Sequence, residues 1–134
     1  MKVLYHASPI KNLCLIRPRK TLSKNRYIGD FVFATDNLIL AAMYLAPKGR
    51  TAWLNPAAHP PRLTVDDSPE NFAAADQGGA IYVLPADKFE PTPQRELDDL
   101  EFVSRTPIRP LRKMVFASCR EAFEQFGIEL KFKN

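Results

Sequence analysis

Apolar residues fall in short runs along this chain, some with the two-residue period of strands and some with the wider period of helices. Residues 2–5 (KVLY) predict a first strand, ended at His6-Ala7-Ser8-Pro9 because Pro9 has no N–H to give a ladder. Residues 10–16 predict a short second strand closed by Pro18. The basic segment 19–27 has no period and predicts a loop that leads into Gly29. Residues 31–35 (FVFAT) are aromatic and β-branched, which suits a strand. Thr35 or Asp36 then offers an N-cap for a helix over 37–45, which Pro47 ends. In that helix Leu38, Ala41, Ala42 and Leu45 share a face, and Leu40 and Tyr44 form an adjacent i,i+4 pair.

Residues 48–79 are the least regular stretch. Prolines 47, 56, 60, 61 and 69 exclude long elements there, although 52–54 and 62–65 each suit a short strand. Asp66, Asp67, Glu70 and Asp76 suit solvated loops and helix caps, Trp53 a packing anchor and His59 an exposed position. Residues 80–84 (AIYVL) predict a strand stopped by Pro85, and 87–99 a connection. Residues 100–104 (LEFVS) predict a strand with Glu101 and Val103 on one face and Leu100, Phe102 and Ser104 on the other. A further strand suits 113–116, Ser118 caps an amphipathic helix over 119–126 that Gly127 ends, and 128–132 suits a terminal strand. The expectation is one α+β domain over residues 1–134, with roughly five to seven short strands and about two modest helices.

A chain of 134 residues is long enough to bury a core of its own, and 46% hydrophobic with 25% charged residues is ordinary for a globular protein. No apolar run approaches a membrane span and the N-terminus has no signal-peptide core, so the expected location is the cytoplasm, with no membrane partner. Cys14 and Cys119 are far apart and outside any CxxC pattern, which predicts buried or half-buried thiols; with His6 and His59 as the other soft ligands, no metal site is expected. The net charge of +4 is unevenly placed. Lys2, Lys11, Arg17, Arg19, Lys20, Lys24 and Arg26 precede Asp30, the first acidic residue, so this end should attract a phosphate-bearing ligand or a nucleic acid.

The P-loop, GxGxxG, GxSxG and HExxH signatures are missing. Three small clusters carry what chemistry is visible. The first is Leu4-Tyr5-His6-Ala7-Ser8, with a histidine where a strand ends. The second is the Gly29–Phe31–Phe33 segment followed by a helix bearing Tyr44 in Ala-Ala-Met-Tyr. The third is Glu101-Phe102-Val103-Ser104, a carboxylate leading a strand.

In this order the clusters resemble the ADP-ribosyltransferase fold in its histidine–tyrosine–glutamate branch, that of diphtheria-toxin-like enzymes and poly(ADP-ribose) polymerases. Ala7 stands where that family usually has glycine, and Phe33 where polymerase-like members carry a first tyrosine. The resemblance does not extend to residues 48–79. It implies two small split sheets with NAD, as substrate, bent into the cleft between them. Cleavage of the nicotinamide–ribose bond passes through an oxocarbenium-like state, as in glycoside hydrolysis. By the resemblance Glu101 stabilises that state, His6 holds the adenosine ribose with Ser8 nearby, and Tyr44 stacks on nicotinamide with Phe33 alongside. Gly29 lets the backbone approach the ligand, and Arg19, or else Arg17 or Arg26, contacts the pyrophosphate. Glu96 competes with Glu101 for the carboxylate role.

Three functions follow. The first is NAD-dependent transfer of ADP-ribose to a protein or nucleic-acid acceptor. The second keeps the fold as an RNA 2′-phosphotransferase-like enzyme or an inactive ligand-binding relative. The third is a small basic nucleic-acid-binding protein without NAD chemistry.

Overall fold

A computed structural model describes residues 2–23, 25–92 and 101–133. Its elements in chain order begin with strands β1 (Val3–Ser8), β2 (Arg19–Ser23) and β3 (Arg26–Thr35), then helix α1 (Leu38–Met43). Strands β4 (Ala52–Asn55) and β5 (Arg62–Val65) precede helix α2 (Pro69–Ala75). Strands β6 (Gly79–Pro85), β7 (Glu90–Pro91), β8 (Glu101–Ser104) and β9 (Arg112–Phe116) lead to helix α3 (Cys119–Phe126) and strand β10 (Glu129–Phe132). The class is α+β, with sheet predominating.

The main sheet has strand order β7-β8-β3-β1-β6-β9, with β2 also paired to β3; a second sheet has the order β10-β5-β4. The apolar run AIYVL lies in β6, between β1 and β9, and both of its faces are covered. Ile81 packs with Ala41, Phe72, Phe123 and Leu63, which belong to the helices and the small sheet. Ala80, Tyr82 and Leu84 point the other way and pack with Leu4, Val32, Ile16 and Ile108. A strand buried on both faces reads as a continuous apolar run rather than an alternating one. Each such large side chain contributes about 1.5–3 kcal/mol by leaving water.

Between β1 and β3 the main sheet is barely joined. Strands β1 and β6 pair over six positions, Val3↔Pro85 through Ser8↔Ala80. Strands β1 and β3 share the single register pair Tyr5↔Thr35 and then diverge. On the far side of β3, β8 pairs from Val32↔Ser104 to Thr35↔Glu101.

Several expectations need correction. Residues 10–16 form no strand beyond the single bridge Ile16↔Ile108: they are a loop in which the Tyr82 hydroxyl donates to the Ile10 carbonyl (2.6 Å) and accepts from the Leu13 N–H (2.9 Å). Segment 19–27 is no loop, because β2 and the start of β3 form an antiparallel hairpin with a register shift between Thr21 and Leu22. The α1 cap is Asn37, whose side chain accepts from the Leu40 N–H, while Thr35 Oγ1 accepts from the Asn37 N–H. A third helix, α2, begins at Pro69, where proline favours the first helical turn and Ser68 caps by accepting from the Asn71 N–H. Among the described residues there are ten strands, where five to seven were expected. Trp53 is 46% exposed and anchors no core, and Cys14 is exposed, whereas Cys119 is buried. His59 is exposed, as expected.

Candidate functional site

The site grows from the joint between β1 and β3. Glu101 pairs with Thr35, and Thr35 with Tyr5, so one rung runs across three strands. Pairing partners project from the same face, which puts Glu101 on the side of Tyr5 and away from Leu4. Val103, two residues on, shares that face and is fully buried, so Glu101 belongs to a covered surface and is itself half-buried. Helix α1 starts directly after β3 and folds back over this face. Its C-cap residue, Tyr44, donates its hydroxyl to Glu101 Oε1 at 2.7 Å.

Tyr44 is also flanked by Lys48, four residues further on and past the end of α1. The Lys48 ammonium donates to the Tyr44 carbonyl at 3.1 Å and lies 5.8 Å from the ring centroid. Desolvation lowers the Lys48 pKa, although the residue as a whole is exposed.

His6 occupies the point where β1 leaves β3. Its Nδ1 lies 2.6 Å from the Phe33 carbonyl oxygen and so bridges the gap in place of a strand rung. A carbonyl only accepts, so Nδ1 carries the proton and neutral His6 keeps Nε2 as an acceptor. Burial pushes the His6 pKa down; the Phe33 hydrogen bond opposes this, and the nearby Arg19 charge adds to it. At neutral pH the ring is uncharged.

A cleft of 610 Å³ opens between the diverging strands, with His6, Ser8, Phe33, Arg17, Arg19 and Lys20 among its walls. Arg17, Arg19 and Lys20 make it an anion-attracting space, since none of the described residues that line it is acidic. Arg26 pairs with Ser23 at the far end of the hairpin and does not line it. Ser8 is buried, and its hydroxyl oxygen accepts from the Ile10 N–H at 3.1 Å.

Tyr44 and Glu101 do not line this cleft. Tyr44 lines a smaller pocket of 240 Å³ with Lys48, Arg50 and Gln77 among others, and Pro9 lines both cavities. The structure therefore brings Tyr44 to Glu101 and His6 to Phe33, with Pro9 as the shared wall between the two spaces.

Gly29 and Phe33 have structural neighbours that explain them. Gly29 has φ +143°, and a Cβ there would sit 2.6 Å from the Phe31 ring, so the space above it is filled by protein rather than open to a ligand. The Phe33 and Phe31 rings meet edge to face at 5.9 Å, and the Arg105 guanidinium lies 5.0 Å from the Phe31 ring centroid. Glu96, the competitor of Glu101, lies outside the described residues.

No helix among the described residues is long and apolar enough to cross a membrane, and they contain no metal-binding group of three or more His, Cys, Asp or Glu side chains. Comparison with protein-family models, curated proteins and solved structures gives no match.

Proposed function

We propose that this chain has an ADP-ribosyltransferase-like fold and transfers ADP-ribose from NAD to a macromolecular acceptor. The observation that carries the reading is the Tyr44–Glu101 hydrogen bond at 2.7 Å, joining two of the three motif residues over a sequence separation of 57. The divergence of β1 and β3 at His6 supports it, because that is the kind of split between half-sheets in which such a fold holds NAD.

The chemistry follows from the atoms available. Tyr44 engages Oε1 and fixes the Glu101 carboxylate, leaving Oε2 to accept from a ribose hydroxyl. The nicotinamide–ribose bond breaks with its electron pair leaving on the nicotinamide, and positive charge develops on the ribose. A preorganised carboxylate beside that charge lowers the barrier by an amount on the order of 2.7–4 kcal/mol. The acceptor nucleophile then attacks the ribose carbon and loses its proton to water. His6 holds a ribose hydroxyl through Nε2, and Arg17 and Arg19 face the pyrophosphate with their forked donors. The Tyr44 ring stacks on nicotinamide by the face turned from Lys48, worth roughly 0.5–1.5 kcal/mol beyond burial.

The test is a pair of measurements on one variant. Millimolar NAD should raise the melting temperature of both the parent chain and Glu101→Gln, while the variant loses nicotinamide release. No thermal shift in the parent would leave the reading without support.

A second reading draws on a different observation: the cleft walls hold Arg17, Arg19 and Lys20 but neither Tyr44 nor Glu101. A 2′-phosphotransferase-like enzyme acting on RNA ends uses cationic groups of this kind. Removal of a 2′-phosphate that is lost in Arg19→Ala and retained in Glu101→Gln would favour it.

A further inference from the structure

The β2–β3 hairpin borders the cleft and carries chemistry that NAD turnover does not use. Arg17, Arg19, Lys20 and Arg26 lie just before it or on it, and all four are exposed. None of the ion pairs found among the described residues engages them. The hairpin's one carboxylate, Asp30, faces Lys20 across the ladder and accepts from the Tyr27 hydroxyl at 3.2 Å. The balance of the four cations against Asp30 is +4 − 1 = +3.

Two large apolar side chains accompany this charge. Leu22 and Tyr27 are cross-strand partners beyond the register shift, 55% and 59% exposed. An isolated apolar side chain on a surface needs no explanation, but these are paired and set among cations in net excess. An exposed aromatic ring among cations matches the surfaces that hold single strands, where phosphates meet Lys and Arg and an unpaired base stacks on the ring.

We infer that the hairpin binds single-stranded nucleic acid, which makes a nucleic acid the acceptor in the proposed reaction. The acceptor role rests on that proposed reaction; the binding surface stands without it. Charge chooses a polyanion, and the exposed Tyr27 ring favours unpaired bases over an acidic protein. Because Lys20 and Thr21 line the cleft while Leu22 and Tyr27 lie just beyond, a strand tracking the hairpin reaches the edge of the site.

The test uses the full chain without NAD, a fluorescently labelled single-stranded oligonucleotide and anisotropy at several salt concentrations. Tyr27→Ala should weaken binding about tenfold and Tyr27→Phe should retain it, since a stacked ring is what is lost. Arg26→Glu should weaken binding and flatten the salt slope by about one phosphate contact. Thermal melts of each variant establish that it is folded. Unchanged affinity in Tyr27→Ala and Arg26→Glu overturns the inference, as does equal competition by polyglutamate or by a duplex of the same sequence. Neither residue lines the cleft, so nicotinamide release should be the same in both variants as in the parent. Oligonucleotide binding without nicotinamide release would sink the NAD reading alone; nicotinamide release without oligonucleotide binding would sink this one alone.

Discussion

The Tyr44 hydroxyl meets Glu101 Oε1 at 2.7 Å, and it does so because both residues are placed from the same rung. Glu101 pairs with Thr35, and the chain leaving Thr35 becomes the helix that ends at Tyr44. The contact is thus set by a short stretch of backbone, and the two side chains can be altered separately.

Glu101→Gln should reduce nicotinamide release on the order of 10²–10³-fold while leaving the NAD-induced melting shift in place. Tyr44→Ala should cost NAD binding more than it costs stability, because the side chain is only partly buried. Tyr44→Phe keeps the ring but frees the carboxylate, so it should lower turnover with little loss of binding. Equal loss of stability and binding in Tyr44→Ala would return the residue to a packing role.

The His6 imidazole gives a pH dependence with a defined sign. Its folded pKa lies below the ordinary value of 6.5, so the unfolded chain takes up a proton first as pH falls. The stabilisation is therefore complete above about pH 6.5 and is lost as pH drops through the lower, folded pKa. Denaturant titrations at stepwise lower pH should show this loss in the parent and not in His6→Gln. NAD binding should weaken over the same interval, because protonation removes the Nε2 acceptor.

Gly29→Ala tests the alternative account of that glycine. A Cβ at φ +143° and 2.6 Å from the Phe31 ring must displace a side chain that is itself buried. Destabilisation of about 1–3 kcal/mol is expected by chemical denaturation. An unaltered midpoint with weakened NAD binding would instead mean that Gly29 serves the ligand.

Asp76 predicts a purely structural loss. Its carboxylate is inaccessible to water and accepts from the N–H groups of Cys119 (2.7 Å) and Gly78 (3.2 Å) and from the Arg120 guanidinium (3.0 Å). Burial raises its pKa, but these donors outweigh burial and hold it below the usual value. Asp76→Ala strips the start of α3 of this acceptor and should cost about 1–3 kcal/mol, with nicotinamide release per folded molecule unchanged.

Much of this architecture was legible in the sequence where local pattern and burial agree. The run AIYVL and the α3 signals, Ser118 before and Gly127 after, gave their elements nearly to the residue. Segment 19–27 was not legible, because an exposed hairpin has no buried face to impose alternation. Residues 10–16 misled in the opposite sense: they are apolar enough for a strand, yet a tyrosine 72 positions from Ile10 satisfies the backbone there. Helix α2 has no plain signal along the chain, because Pro69 breaks the pattern unless it stands in a first helical turn. For the site, residue order brought Tyr44 and Glu101 forward, but neither Lys48 over Tyr44 nor the filled space above Gly29 has a signature along the chain.

The lone Tyr5↔Thr35 rung has a mechanical consequence. Two ladders joined by one backbone rung and the His6–Phe33 hydrogen bond share few backbone hydrogen bonds, so native-state amide exchange should divide at that seam. Amides shared by β1, β6 and β9 should exchange as one cooperative block, and those shared by β3 and β8 as another. A ligand that spans the gap beside His6 would lock the blocks together, and their exchange rates would slow in step.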